Sequence, residues 1–158
     1  MWHAAGRRAI VLVLISFLAL IAFSPTASAR PSDHLARKLL GILNATRDEH
    51  HLRPLQLERS LGGPATRHSA RMVRANRLFD PPNLEQILAG YAWNDIGADV
   101  VGCGSTLREM HRIVMSEAFH RTILLDPDIR RVGIGVVVAR DHNRCGRGSL
   151  WATEILYG

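Results

Sequence analysis

At 158 residues the chain has room for one domain with a proper core and is short for two. Its formal charge is +6, carried almost wholly by arginine with Lys38 as the only lysine, and many arginines stand beside acids, as in Arg47-Asp48-Glu49 and Glu58-Arg59. No dense basic run carries interleaved aromatics, so nucleic-acid binding is excluded as a reading, and mild attraction to an anionic cell surface is the most the charge supports.

The first 29 residues read as a secretory signal peptide. Arg7-Arg8 come without an acid, Ala9 to Phe23 is an apolar run, and Ala27-Ser28-Ala29 offers a small-residue cleavage site. The run is short for a membrane span, so the membrane is expected to matter only through this segment. A mature chain starting near Arg30 loses Arg7 and Arg8, which lowers the charge from +6 to +4. Secretion or cell-surface display follows, and in that compartment the two cysteines, Cys103 and Cys145, are expected to form one disulfide worth up to about 4 kcal/mol. They lack the local Cys or His partners of a zinc spacing.

Residues 30–38 lead into the domain. Ser32 can cap a helix from Asp33 to about His50, with Leu35, Leu39, Ile42, Leu43 and Thr46 on one face and Arg37, Lys38, Arg47 and Asp48 elsewhere. His50-His51 falls at its end, where a cation favours the dipole. Asn44-Ala-Thr46 matches a glycosylation sequon but lies within the helix. Arg53-Pro54 stops that helix, and Leu55-Gln-Leu57 is a short extended piece.

A second helix opens near Ser60, with Pro64 in its first turn, where a missing N–H costs little. Leu61, Ala65, His68 and Met72 share a face, with Ala75 continuing it, and His68 there reads as a satisfied core histidine. Asp80-Pro81-Pro82 ends the helix, Asn83 caps a short turn through Leu88, and Tyr91 and Trp93 sit in a loop. Ile96 to Val101 is extended. Thr106-Leu-Arg-Glu109 has the form of a capping box for a helix from Leu107 to about Ala118, with Leu107, Met110, Ile113 and Val114 as its apolar face. His120-Arg121 marks the exit of that helix, and the glycines of Val132-Gly-Ile-Gly-Val136 are expected to leave room for a cleft. Strands over Val132–Arg140 and Leu150–Tyr157 close the chain. The class is therefore α+β, with helices packed on a small antiparallel sheet.

The ordered set of motifs resembles the CAP superfamily (cysteine-rich secretory proteins, antigen 5 and pathogenesis-related 1 proteins) in its bacterial form. Asn44, Arg47, Pro54-Leu55 and Leu61 stand where that family opens; Ala65, His68-Ser69, Met72 and Asn76 resemble its second helix; Met115 to Val136 and Trp151 to Gly158 are similar to its later signature and last strand. The resemblance covers residues 39–158. It implies a three-layer α-β-α sandwich and a cleft with two histidines and two acids that holds a divalent metal in some members. Here the matching places read Asp80, Ala98-Asp99, Glu117 and His120, so most nitrogen donors are gone and any zinc binding should be weak. Glu117 and His120, three apart on a continued helix, are expected to pair with each other and with Arg121. Ser116 with His120, or Ser69 with His68, would suit a hydrolase but lacks a nucleophile elbow. Asp80, Asp99 and Glu117 are the carboxylates a glycosidase would need. The resemblance favours non-catalytic binding of a lipid, a cell-envelope component or a protein partner, with Phe79, Pro81, Pro82, Tyr91 and Trp93 gathered beside the cleft. The alternative is a metal-dependent envelope hydrolase using Glu117 and His120.

Overall fold

The computed structural model describes residues 31–93 and 96–158, so the signal segment lies outside the described residues. Element order is α1 (Pro31–Glu49), β1 (Gln56–Leu57), α2 (Arg59–Ala75), α3 (Leu84–Leu88), β2 (Gly97–Gly104), α4 (Leu107–Ser116), α5 (Ala118–Leu124), β3 (Arg131–Val138) and β4 (Leu150–Tyr157). The sheet runs β1-β3-β4-β2. β4 pairs antiparallel with both neighbours, but β1 joins β3 in parallel, so the sheet is mixed rather than antiparallel. The antiparallel expectation fails at β1 because a two-residue piece gives no periodicity from which direction could be read.

Alternation along the strands divides the core. Val100, Val132, Ile134, Val136, Ala152 and Leu156 face Leu39 and Leu43 of α1 and Met110 and Val114 of α4. On the opposite face, Ile155 and Tyr157 meet Leu61 and Ala65 of α2, and Val101, Cys103 and Trp151 meet Met72. The result is a three-layer α-β-α sandwich, with the α+β content expected from the sequence. Among the described residues no helix is long and apolar enough to cross a membrane.

Glycines set how closely α2 approaches. A Cβ on Gly133 would collide with Leu61 Cβ, and one on Gly135 would collide with the Thr66 backbone nitrogen. The two glycines therefore hold no cleft open; the backbone of α2 fills the space they leave. Ser69 Oγ locks the same contact, donating to the Gly135 carbonyl at 2.9 Å and lying 2.9 Å from Thr153 Oγ1.

Several local expectations change. Pro64 is the sixth residue of α2, because Glu58 serves as N-cap and the helix begins one residue before Ser60. Arg47 is buried on the inner stripe of α1 rather than outside it. Its guanidinium donates to the carbonyls of Arg53 (2.9 Å), Leu124 (2.7 Å), Asp126 (3.1 Å) and Ile129 (3.3 Å), clasping two loops. Asn44 completes the clasp: its Nδ2 donates to the Leu55 carbonyl at 3.1 Å and its Oδ1 accepts from the Leu55 amide at 2.8 Å. The sequon asparagine is thus occupied by the fold.

Candidate cleft at the α4–α5 break

Thr106 caps α4 by accepting from the Glu109 amide at 3.1 Å, while the Glu109 carboxylate reaches back to the Ser105 amide at 3.0 Å instead of the Thr106 amide. The capping box holds with its second arm shifted by one residue. α4 then turns its Leu107, Met110, His111 and Val114 inward and leaves Ile113 43% exposed, so His111 takes the core place expected of Ile113. The helix also stops earlier than Ala118. Ser116 Oγ donates back to the Ile113 carbonyl at 2.6 Å, and Glu117 adopts φ −85° and ψ 120°, outside the helical region. Glu117 closes α4 and opens α5, and His120 lies inside α5 rather than at a helix exit.

Despite the break, Glu117 and His120 meet: His120 Nδ1 and Glu117 Oε2 are 3.0 Å apart. The contact is poorly directed, because Nδ1 is buried without a well-aligned hydrogen bond. Arg121 does not join them; it donates from Nη1 to the Met115 carbonyl at 3.0 Å and so ties α5 to the end of α4. Phe119, between the paired residues, is 74% exposed.

Asp80 and Asp99 form the second pair. Asp99 is half-buried on β2, and its Oδ2 is buried without a hydrogen-bond partner. Burial first, and the Asp80 carboxylate second, push the Asp99 carboxyl up to about 6. Among the described residues no hydrogen bond or ion pair joins this pair to Glu117 and His120, and no three His, Cys, Asp or Glu side chains gather into a metal-holding group. Ala98, at the family's acid position, supplies no ligand atom. The residues present do not make up a zinc set of three or four donors.

The serine arrangements do not assemble. Ser69 Oγ is spent on Gly135 and Thr153, and Ser116 Oγ on Ile113, so neither hydroxyl is bonded to a histidine. His68 is buried and satisfied at both ring nitrogens, with Nε2 2.7 Å from the Phe79 carbonyl and Nδ1 accepting from Arg71 Nη2 at 3.0 Å. That is the core histidine expected from its helix face.

Beside the break lies a groove of about 470 Å³ between β2, α4 and the loop before β4. Leu78, Val101, Val114 and the Cys103–Cys145 disulfide contribute to its lining, along with Ile113, Glu117, Glu109 and Arg144. The disulfide bridges a sequence separation of 42 residues with Cα atoms 6.1 Å apart, holding the loop against the strand. The aromatics expected beside the cleft are divided between core clusters. Phe79 stacks edge-on to His68 at 5.0 Å, whereas Tyr91 and Trp93 pack on the other cluster, Tyr91 lying 5.7 Å from Tyr157.

Two buried polar groups were not singled out from the sequence. Glu154, on the central strand, is fully buried with Oε2 unpartnered, and burial pushes its carboxyl up to about 8. A glutamate inside the run Trp151-Ala-Thr-Glu-Ile-Leu-Tyr157 was a readable anomaly. His111 bonds Thr46 Oγ1 through Nε2 at 2.8 Å and leaves Nδ1 unpartnered, and burial lowers its pKa. Nothing in the sequence distinguished it from an outward-facing histidine.

No curated protein matches the chain by direct sequence comparison. Among solved structures, an extracellular protein containing an SCP domain from Bacillus anthracis superposes with a TM-score of 0.63 at 15% identity, covering 84% of this chain and 45% of that one. A cysteine-rich secretory protein from Staphylococcus aureus gives 0.63 at 17% identity, over 83% of this chain and 40% of that one. An outer surface protein from Borrelia burgdorferi gives 0.62 at 10% identity, over 82% of this chain and 97% of that one. The chain thus spans less than half the length of the first two. The family model of the cysteine-rich secretory protein (CAP) family matches residues 40–154, most of the sequence, and the chain belongs to that family.

Proposed function

We propose that this protein is an exported CAP domain that acts by binding, and that its ligand is an apolar or amphiphilic molecule of the cell envelope, a lipid before a protein partner. The observation that carries this reading is the groove beside the α4–α5 break, whose lining combines Leu78, Val101, Ile113, Val114 and a disulfide with Glu109, Glu117 and Arg144. A groove that sets apolar side chains beside charged ones suits a ligand with a hydrocarbon body and a polar head. Export is supported by the signal-like first 29 residues, by the disulfide, and by the extracellular and outer-surface descriptions of two structural neighbours.

Ile113 supplies the test, because it lines the groove yet is exposed enough to replace without emptying the core. In a fluorescent fatty-acid titration of the mature protein, Ile113→Glu should weaken saturable binding by about tenfold or more, since the ligand's hydrocarbon would meet a carboxylate. Unchanged affinity in a folded Ile113→Glu variant would mean that the groove does not hold the ligand.

The competing reading, a metal-dependent envelope hydrolase, draws on the Glu117–His120 contact, which leaves Nε2 of His120 as the ring nitrogen not held by the glutamate. Zinc calorimetry on the wild type beside His120→Ala discriminates. Tight one-to-one binding lost in the variant would favour the hydrolase; absence of tight binding agrees with the incomplete donor set.

A further inference from the structure

The outer face of α2 carries a feature that the cleft does not use. From Arg59 to Phe79 the sequence contains no acidic residue, yet it holds Arg59, Arg67, Arg71, Arg74 and Arg77. This is where the chain departs from its habit of placing arginines beside acids. Arg67, Arg71 and Arg74 are all exposed and recur at helical spacing, and all three line one depression of about 530 Å³ between α2 and α3, with Ala70 and Ile87 among its apolar lining. No carboxylate among the described residues lines it. Among the described residues the ion pairs are Glu117–His120 and Glu58–Arg131, so none of the three guanidiniums is neutralised. Arg77 lies over the Phe79 ring instead, 5.4 Å from its centre. A smaller depression of about 440 Å³ continues past Arg67 to Arg59, with Asp33 in its lining.

We infer that this groove binds a linear phosphate-bearing polymer of the cell envelope. Three like charges on successive turns repel one another unless an anion lies between them, so the occupant that complements the groove is itself a chain of anions. Positions four apart on a helix rise by about 6 Å, so the donors follow a repeating backbone better than a single ion. Phosphate suits the forks better than carboxylate. It presents oxygens on several sides and can bridge guanidiniums from neighbouring turns, whereas a planar carboxylate presents one edge to one fork. A concave seat also favours a chain over the flat surface of a bilayer.

The test uses short inorganic polyphosphate as the probe, titrated into mature protein at several salt concentrations. Arg67→Gln/Arg74→Gln removes two guanidiniums that make no hydrogen bond among the described residues and leaves Arg71 on His68. Arg108→Gln/Arg112→Gln removes the same charge from exposed positions on α4, across the sheet. The expected result is saturable, salt-sensitive binding to the wild type, weakened about tenfold or more in the α2 variant and less than about twofold in the α4 variant. Circular dichroism checks that both variants fold. Equal weakening in the two would mean general charge attraction and overturn the inference. So would binding to phosphatidylglycerol vesicles without polyphosphate binding, which would point to a bilayer, or no binding to either.

Discussion

The clasp around Arg47 and the cleft around Asp99 and His120 treat polar side chains in opposite ways. At the clasp, a buried guanidinium gives every nitrogen a carbonyl, and Asn44 beside it both donates and accepts. At the cleft, Asp99 Oδ2 and His120 Nδ1 are buried without well-formed hydrogen bonds, and the Asp99 carboxyl is displaced to about 6. Burying a polar group is tolerated when its partners are built in and costly when they are not. The difference separates a polar cluster satisfied by the fold from polar atoms that the fold leaves without partners. Glu154 complicates the rule: it is as unpartnered as Asp99, yet it shares a strand face with Ala152 and Leu156, which pack in the core with α1 and α4.

The clasp should break hardest. Arg47→Met removes four carbonyl contacts and strands those oxygens, so urea unfolding should show a loss of about 3–5 kcal/mol. A loss under about 1 kcal/mol would mean that water takes over the carbonyls and that the clasp is not structural.

Glu154 should show the next largest effect, with the opposite sign. Its folded carboxyl titrates near 8, well above its ordinary value of 4.5, so ionisation opposes folding. The penalty is absent below the ordinary value, grows as pH rises through the interval, and is full above about 8. Glu154→Gln should therefore leave stability unchanged at pH 4 and raise it on the order of 3 kcal/mol at pH 7. A destabilising result at pH 7 would show that the carboxyl has a partner after all, and would restore the contrast between satisfied core and unsatisfied cleft.

Asp99→Asn is the smaller version of the same experiment at the cleft. Asp99 is raised from 3.8 to about 6, so its penalty is absent at low pH and complete above about 6. Because the side chain is only partly buried, solvent screening reduces the gain at pH 7 to roughly 1–2 kcal/mol, fading below about pH 4. Removing Asp80 should lower the Asp99 midpoint, readable by carboxyl NMR.

Much of the fold was legible in the sequence because its signals are local or periodic. The stripes Leu39–Leu43 and Leu61–Ala65–Met72, the Thr106 cap and the paired apolar strands all appear where spacing put them. What escaped reading depends on contacts distant in sequence. Arg47 looks like a surface arginine until loops 77 to 82 residues away bring their carbonyls to it. Gly133 and Gly135 suggest open space until α2 fills it. His111 and Ile113 exchange core and surface on α4, which packs so closely on β2 that an added Cβ on Gly102 would lie 2.8 Å from Val114. At the cleft, Asp80, Asp99, Glu117 and His120 were named from the family resemblance, and the helix break at Glu117 escaped reading because it carries no proline or glycine to announce it.

The most direct test of binding by the groove is ligand binding without metal. Mature protein and its His120→Ala variant would be titrated with a fluorescent fatty acid in the presence of EDTA. Saturable binding is expected in both, with affinities within about twofold, since His120 is not among the residues that line the groove. Binding that requires zinc and disappears with His120 would contradict this and return the cleft to metal chemistry.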